Sequence, residues 1–325
     1  MLFGNSSSDF GNLPSQFKNC DVQMFLPNGN GATQIQTWIK PCGVTMVHML
    51  CIGAGGGGAG GQSAANTKGG GGGGSSGGIS SVMVPAVFLP NTLLVSVSPG
   101  GRGGAAASNG TSAAATFISL GAGVNSAGTI PNIILVANGG NQGNTGNGGT
   151  AGGAPAAVAI ASLGPIGRLG IFPNHGVAAN VGIAGQTGAA GGNSTTFLGA
   201  PIVAVWNTSP LSGGTGGAGA SSTTPGVGGS ITLQTAVDIA DGGFYLPSGN
   251  VLAGGVINSG NGNPGIKSLK PFLNTGGTGG GSSAAGTGGN GGVGGYGCGG
   301  GGGGAGVTGG RGGDGGDGVV IITSW

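Results

Sequence analysis

The sequence predicts a mostly β, extended fold: a glycine-rich sandwich of packed polyglycine II helices edged by β-strands, with essentially no α-helix. Three observations carry this expectation. Glycine supplies 89 of 325 residues, against roughly 7% in an average protein. Apolar, strand-like segments alternate with the glycine runs and stand at both ends of them. No segment repeats its apolar residues at helical spacing.

Composition narrows the class further. No strict Gly-X-Y period runs through the chain and its 16 prolines are an ordinary share, so it is not collagen-like. Disordered chains combine low hydrophobicity with high charge. Here charged residues make up 4% and mean hydropathy is +0.26. A net charge of +2 is too small to attract nucleic acid or a membrane surface. No apolar run is long enough to insert in a membrane, and residues 1–6 lack the basic and apolar regions of a secretory signal. The surface is therefore expected to consist of Asn, Ser, Thr, Gln and bare backbone.

Residues 1–20 read as a polar N-terminal arm with Phe3, Phe10 and Phe17 at seven-residue spacing. Gly4, Gly11 and Pro14 argue against a helix there, and an extended arm would offer these aromatics to a neighbouring protein. Residues 21–325 read as one domain. Strands are expected at 22–26, before the dense turn signal of 27–31, and at 33–39, where Ile35, Thr37 and Ile39 alternate with Gln34, Gln36 and Trp38. After the 40–43 turn, 44–52 is the clearest strand, and it enters glycine-rich 53–78 directly. Strands resume at 79–84 and 92–98. A weak internal repeat, a Gly-rich turn, a small-residue segment, an apolar strand and glycine again, appears at about 92–150 and 185–220. Segments 163–183 and 231–273 carry more large side chains. Glycine returns over 276–318, and 319–325 closes the chain as a strand.

Polyglycine can be ordered by packing. Its threefold extended helix rises about 3.1 Å per residue and makes no internal hydrogen bonds. Side by side, such helices can exchange N–H···O=C bonds, and only glycine lets the axes come close enough. Outward positions can then carry Ser, Thr, Asn or Ala, the residues that interrupt the runs here.

Few motifs suggest chemistry. Gly53-x-Gly55-x-x-Gly58 follows a strand as a dinucleotide fingerprint would. That motif needs a helix next and an acidic residue about 20 positions on, and neither is expected, so no cofactor is assigned. Asp314 and Asp317 lack the tandem repeats that complete calcium sites, and Arg311 beside them suggests a salt bridge. His48 reads as a structural histidine within a strand, and His175 as a surface residue. Cys20, Cys42, Cys51 and Cys298 have no metal spacing; buried free thiols are the simpler reading, and disulfides stay open. Two histidines and six aspartates do not compose a catalytic constellation, so no enzyme, catalytic residue or metal site is expected. Recognition is assigned to Trp206, Phe244, Tyr245 and His175, because aromatics with polar neighbours suit sugar or protein contacts.

Two stretches bring in a family resemblance. Residues 37–47 (Thr-Trp-Ile-Lys-Pro-Cys-Gly-Val-Thr-Met-Val), with the strand that ends in Ile52 and Gly53-Ala54-Gly55-Gly56-Gly57-Gly58, resemble the opening of glycine-rich domains in bacteriophage tail fibres and related virion proteins. The ending, Gly312-Gly313-Asp314-Gly315-Gly316-Asp317-Gly318 followed by 319–325, resembles their C-terminus. The resemblance implies a polyglycine-helix sandwich whose loops at one end contact a host receptor. It implies a non-enzymatic virion surface protein, extracellular, contacting a host cell-surface protein or glycan and other virion proteins. A homo-oligomer, with a trimer favoured, is the expected assembly, and Phe3, Phe10 and Phe17 become candidates for virion attachment. A capsid decoration or head-fibre protein, a bacterial cell-surface or matrix protein and an ice-binding protein are the alternatives. For the last, the sequence lacks ordered rows of threonine.

Overall fold

The computed structural model describes residues 20–27, 34–63, 68–120, 133–153, 184–204, 211–233, 251–269 and 272–325. Among them the fold is nearly all β and extended chain. Its one helical element is a single 3-10 turn, Ala86–Phe88, placed between Pro85 and Pro90 where a longer helix could not continue.

Two antiparallel four-stranded sheets face each other at one end of the molecule. The first contains β1 (Asp21–Phe25), β3 (Met46–Ile52), β4 (Ile79–Pro85) and β13 (Val319–Ser324), in the order β1-β13-β3-β4. The second contains β2 (Gln34–Ile39), β5 (Thr92–Val97), β6 (Thr116–Ser119) and β7 (Ile133–Ala137), in the order β2-β5-β6-β7. The last strand is thus inserted between β1 and β3, and Thr45 N–H donates to the Trp325 carbonyl at 2.7 Å.

Period-two alternation sets the core. Val47, Met49 and Cys51 of β3 point inward with Phe25, Val82, Val84, Val320 and Ile322, against Trp38, Leu93, Val95, Val97, Ile118 and Leu135 of the other sheet. The alternation in β2 resolves against the isoleucines. Ile35 and Ile39 are 44% and 67% exposed, while Trp38 is fully buried opposite Leu93. The indole is the largest side chain of the strand and lies in the gap between the sheets, and because the period is two, its burial turns Ile35 and Ile39 outward. Its Nε1–H has no hydrogen-bond partner among the described residues.

Three short strands, β8 (Ile202–Ala204), β9 (Ile231–Leu233) and β10 (Val251–Leu252), form a second layer of edging in the order β10-β9-β8, with β8 and β9 parallel. A hairpin, β11 (Lys267–Leu269) and β12 (Phe272–Asn274), adds the last two. The two members of the suggested repeat diverge: Phe117 lies in β6, whereas Phe197 lies outside any strand.

Between strands, the glycine runs form a bundle whose hydrogen bonds recur every third residue. In run 53–62, Gly55, Gly58 and Gly61 donate to Gly316, Gly313 and Gly310; Gly56, Ala59 and Gln62 donate to Ser75, Gly72 and Gly69; Gly57 and Gly60 donate to Thr111 and Ser108. Its carbonyls accept on the remaining sides from Gly101 and Gly104, from Gly140 and Gly143, and from Gly300 and Gly303. The run is enclosed on all sides by other runs. Runs 68–78, 211–220, 275–283 and 298–306 are enclosed in the same way. This is the pattern that threefold extended helices packed side by side produce.

Glycine is required by the spacing. A Cβ on Gly57 would overlap the carbonyl oxygen of Arg102, and one on Gly302 would overlap that of Gly71. Where a neighbour stands further off, a hydroxyl fills the gap: Thr215 Oγ1 donates to the Gly229 carbonyl at 2.6 Å and accepts from Gly279 N–H at 2.7 Å. Ser282 likewise accepts from Gly226 N–H at 2.6 Å and donates to the Gly219 carbonyl at 2.7 Å.

Candidate functional site

The runs alternate in direction, so their strand-side ends and their turns segregate to opposite ends of the bundle. Run 53–62 leaves β3 and 68–78 returns to β4; 99–107 leaves β5 and 108–115 returns to β6. The described residues 62–63 and 68–69 and the turns at 105–109, 145–149, 193–197, 220–225, 256–260, 284–287 and 306–308 consequently share one end, the tip.

Hydrogen bonds knit these turns into one surface. Thr145 N–H donates to Asn109 Oδ1 at 2.8 Å and Ser194 N–H to Asn147 Oδ1 at 3.3 Å. Asn258 N–H donates to the Ser282 carbonyl and Val307 N–H to the Gly286 carbonyl, each at 2.8 Å. Ser259 Oγ donates to the Thr287 carbonyl, Thr287 bridges Thr308, and Ser63 bridges Gly306. Asn258 and Ser259 hold φ of 61° and 79°, a left-handed pair that reverses the chain tightly.

The tip is electrically neutral apart from one residue. Lys68 is 1% exposed and its Nζ donates to the Ala284 carbonyl at 2.6 Å, tying the start of run 68–78 to turn 284–287. The ammonium is spent on the protein's own backbone. What faces outward is Val256, Ile257 and Val307, at 66%, 45% and 57% exposure, beside Asn, Ser and Thr. Such a face can recognise a partner by shape, apolar contact and neutral hydrogen bonds. Among the described residues it holds no nucleophile–base pair for covalent chemistry.

At the strand end, a cleft of about 380 Å³ lies between residues 186–189, 200–203 and 211–212. Its lining is uncharged, with Ile202 and Leu211 among the apolar groups and Gln186, Thr187 and Ser212 among the polar ones.

The residues singled out from sequence fall unevenly. Trp206, Phe244, Tyr245 and His175, assigned to recognition, and Phe3, Phe10 and Phe17, assigned to attachment, all lie outside the described residues. The described residues that flank the first four, at 153 and 184, 204 and 211, and 233 and 251, lie at the strand end. The tip turns escaped sequence reasoning. Their signal was available as polar doublets between glycine runs, such as Ser221-Ser222-Thr223-Thr224 and Ser194-Thr195-Thr196.

The expected ion pair is present: Arg311 Nη2 lies 2.6 Å from Asp314 Oδ1. The same oxygen accepts Gly103 N–H at 2.7 Å, and Asp317 Oδ1 accepts Gly100 N–H at 3.0 Å. Both carboxylates stand in for a neighbouring carbonyl at the edge of the bundle, which explains their spacing of three residues. Gly53 to Gly58 continues into the extended run, not into a helix, so a dinucleotide would find no helix N-terminus there. His48 is half-buried on the outer face of its sheet, paired in register with Thr323 and Met83. Cys51 and Cys298 are buried free thiols, and Cys20 and Cys42 exposed ones. Burial pushes the Cys298 thiol up to about 12, against a smaller lowering from the Ser212 backbone, and burial raises Cys51 as well.

No protein-family model matches the chain, and no curated protein matches it.

Proposed function

We propose that the protein is a non-enzymatic surface component of a bacteriophage virion, a tail-fibre or adhesin part whose tip contacts the host envelope. The observation that supports this most is the gathering of the tip turns from many glycine runs at one end of a hydrogen-bonded bundle. A hydrogen-bonded scaffold holds these turns at fixed spacing, so a partner meets a preformed surface and little ordering entropy is lost on binding. The neutral tip favours an uncharged protein surface or glycan over a phosphate-rich polyanion, since Lys68 is already engaged. The strand end is left for other virion proteins, which agrees with an N-terminal attachment role for Phe3, Phe10 and Phe17.

Antibody–gold labelling of the particle fraction from the source culture, viewed by electron microscopy, tests this reading. Gold at tail tips supports it. Gold over heads replaces it with a decoration or head-fibre protein, and absence of gold from particles refutes the virion assignment.

A further inference from the structure

We propose that Asn147 is a site of spontaneous deamidation selected by the fold, while equivalent Asn-Gly pairs elsewhere in the bundle are protected. Among the described residues, Asn-Gly occurs at 109–110, 138–139, 147–148, 261–262 and 290–291. In this reaction the backbone nitrogen of the glycine attacks the asparagine Cγ. The N–H proton is lost, ammonia leaves, and a succinimide ring closes. Water then opens the ring at either carbonyl to give aspartate or isoaspartate. The nucleophile is the glycine amide, so a hydrogen bond that holds this amide away from Cγ blocks the first step.

Three of the pairs are held in a two-pronged clasp. Asn290 Oδ1 accepts Arg311 N–H at 2.9 Å, while Gly291 N–H donates to the carbonyl of the same Arg311 at 2.8 Å. Asn261 Oδ1 accepts Asn290 N–H at 2.9 Å, while Gly262 N–H donates to the Asn290 carbonyl at 2.7 Å. Asn109 Oδ1 accepts Thr145 N–H at 2.8 Å, while Gly110 N–H donates to the Gly143 carbonyl at 3.1 Å. In each, the attacking amide is committed to a neighbouring run.

Asn147 has only half of this clasp. Its Oδ1 accepts Ser194 N–H at 3.3 Å, but Gly148 N–H has no partner among the described residues. The Ser194 N–H polarises the Cγ=O bond and stands where the negative charge of the tetrahedral intermediate develops. Asn147 is exposed, within the tip turn 145–149, so water reaches both the ring and the leaving ammonia. Gly148 holds φ of +79°, and with no side chain beyond its amide nothing of its own obstructs the approach. At 138–139 the Gly139 amide is also without a partner among the described residues. There Asn138 and Gly139 are half-buried directly after β7, and the Asn138 carbonyl accepts from Gly78 N–H at 2.9 Å, so water reaches this pair less freely than the exposed Asn147. The modification would add one negative charge to a neutral tip, and it follows from the fold whichever function the tip serves.

The test is peptide mapping by mass spectrometry after prolonged incubation of the full chain in mildly alkaline buffer, native and in urea. In the native protein, acid at position 147 should exceed that at 109, 261 and 290 by at least about tenfold, the factor for breaking one hydrogen bond of about 1.4 kcal/mol. In urea the sites should converge, because they share the same following residue. Equal native rates, a slower Asn147, or a preference that persists undiminished in urea would each overturn the proposal.

Discussion

Gly303 donates its N–H to the carbonyl oxygen of Ala59 at 2.8 Å, and the Ala59 N–H in turn donates to Gly72 at 2.8 Å. Two consecutive runs and a third from near the end of the chain are joined through one alanine that is fully buried. Stability in the bundle thus rests on many backbone bonds, each contributing about 1 kcal/mol net, and not on side-chain area. A run can contribute only if its neighbours are in place, so the bundle should fold as a unit with the two sheets that fix the ends of its first runs.

Position decides whether a glycine can be replaced. A Cβ on Gly303 would overlap the Gly310 carbonyl, whereas one on Gly153 meets nothing within 4 Å. Gly303→Ala should therefore lower stability by at least about 2 kcal/mol, as forced overpacking does. Gly153→Ala should be neutral, or raise stability by up to about 1 kcal/mol through the unfolded chain. Thermal melts of the two variants make the comparison, and equal effects would contradict the packing described here.

The hydroxyl of Thr215 is the clearest side-chain substitute for a backbone bond. Thr215→Val keeps shape but strands Gly279 N–H and the Gly229 carbonyl in a buried place, where their remaining contact is 3.2 Å. A loss of about 1–3 kcal/mol follows from leaving buried polar groups poorly paired. Thr215→Ser retains the hydroxyl and should lose clearly less. Chemical denaturation of both variants distinguishes a hydrogen-bonding role from simple filling of space.

The strands were legible because alternation and apolar runs report directly on which face is buried. Strands 46–52 and 319–324 needed nothing more. The inward turn of Trp38 over Ile35 and Ile39 was not legible, since it depends on the width of the gap between two sheets. Glycine runs could be read as ordered, but not which run lies beside which, because bare backbone carries no side-chain code for partners. The code is in the exceptions. Asp314, Asp317, Asn261 and Asn290 mark edges where a side chain replaces a missing carbonyl, and this becomes visible only once neighbours are known. Sequence reasoning sought recognition in aromatics that lie outside the described residues, whereas the outward apolar residues of the tip are Val256, Ile257 and Val307.

On the adhesin reading, the tip must tolerate no new charge. Val307→Asp and Ile257→Asp each place a carboxylate on the neutral face, at positions 57% and 45% exposed, where folding is little affected. Binding of the purified protein to host cells should fall by about tenfold or more, the loss of an interface anchor, with an unchanged melting temperature. Full binding by both variants would move the contact surface away from the tip.

The four cysteines offer a pH test of the core. Cys20 and Cys42 are exposed, so an alkylating reagent should label these two in the native protein and all four in urea. Burial raises the Cys298 thiol from its ordinary value of 9.0 to about 12. Between those values the unfolded chain gives up the proton that the folded chain keeps, so the unfolded state binds fewer protons and stability falls as pH rises. Below about 9 both states hold the proton and the thiol contributes no pH dependence. Stability should accordingly decline across the alkaline range from about 9 upward. Cys298→Ala should flatten part of that decline, and Cys51, raised by its own burial, should account for a further part. Melting curves across this range check both. A decline unchanged in the Cys298→Ala, Cys51→Ala double variant would show that the alkaline loss arises elsewhere and that these thiols titrate alike in folded and unfolded chains.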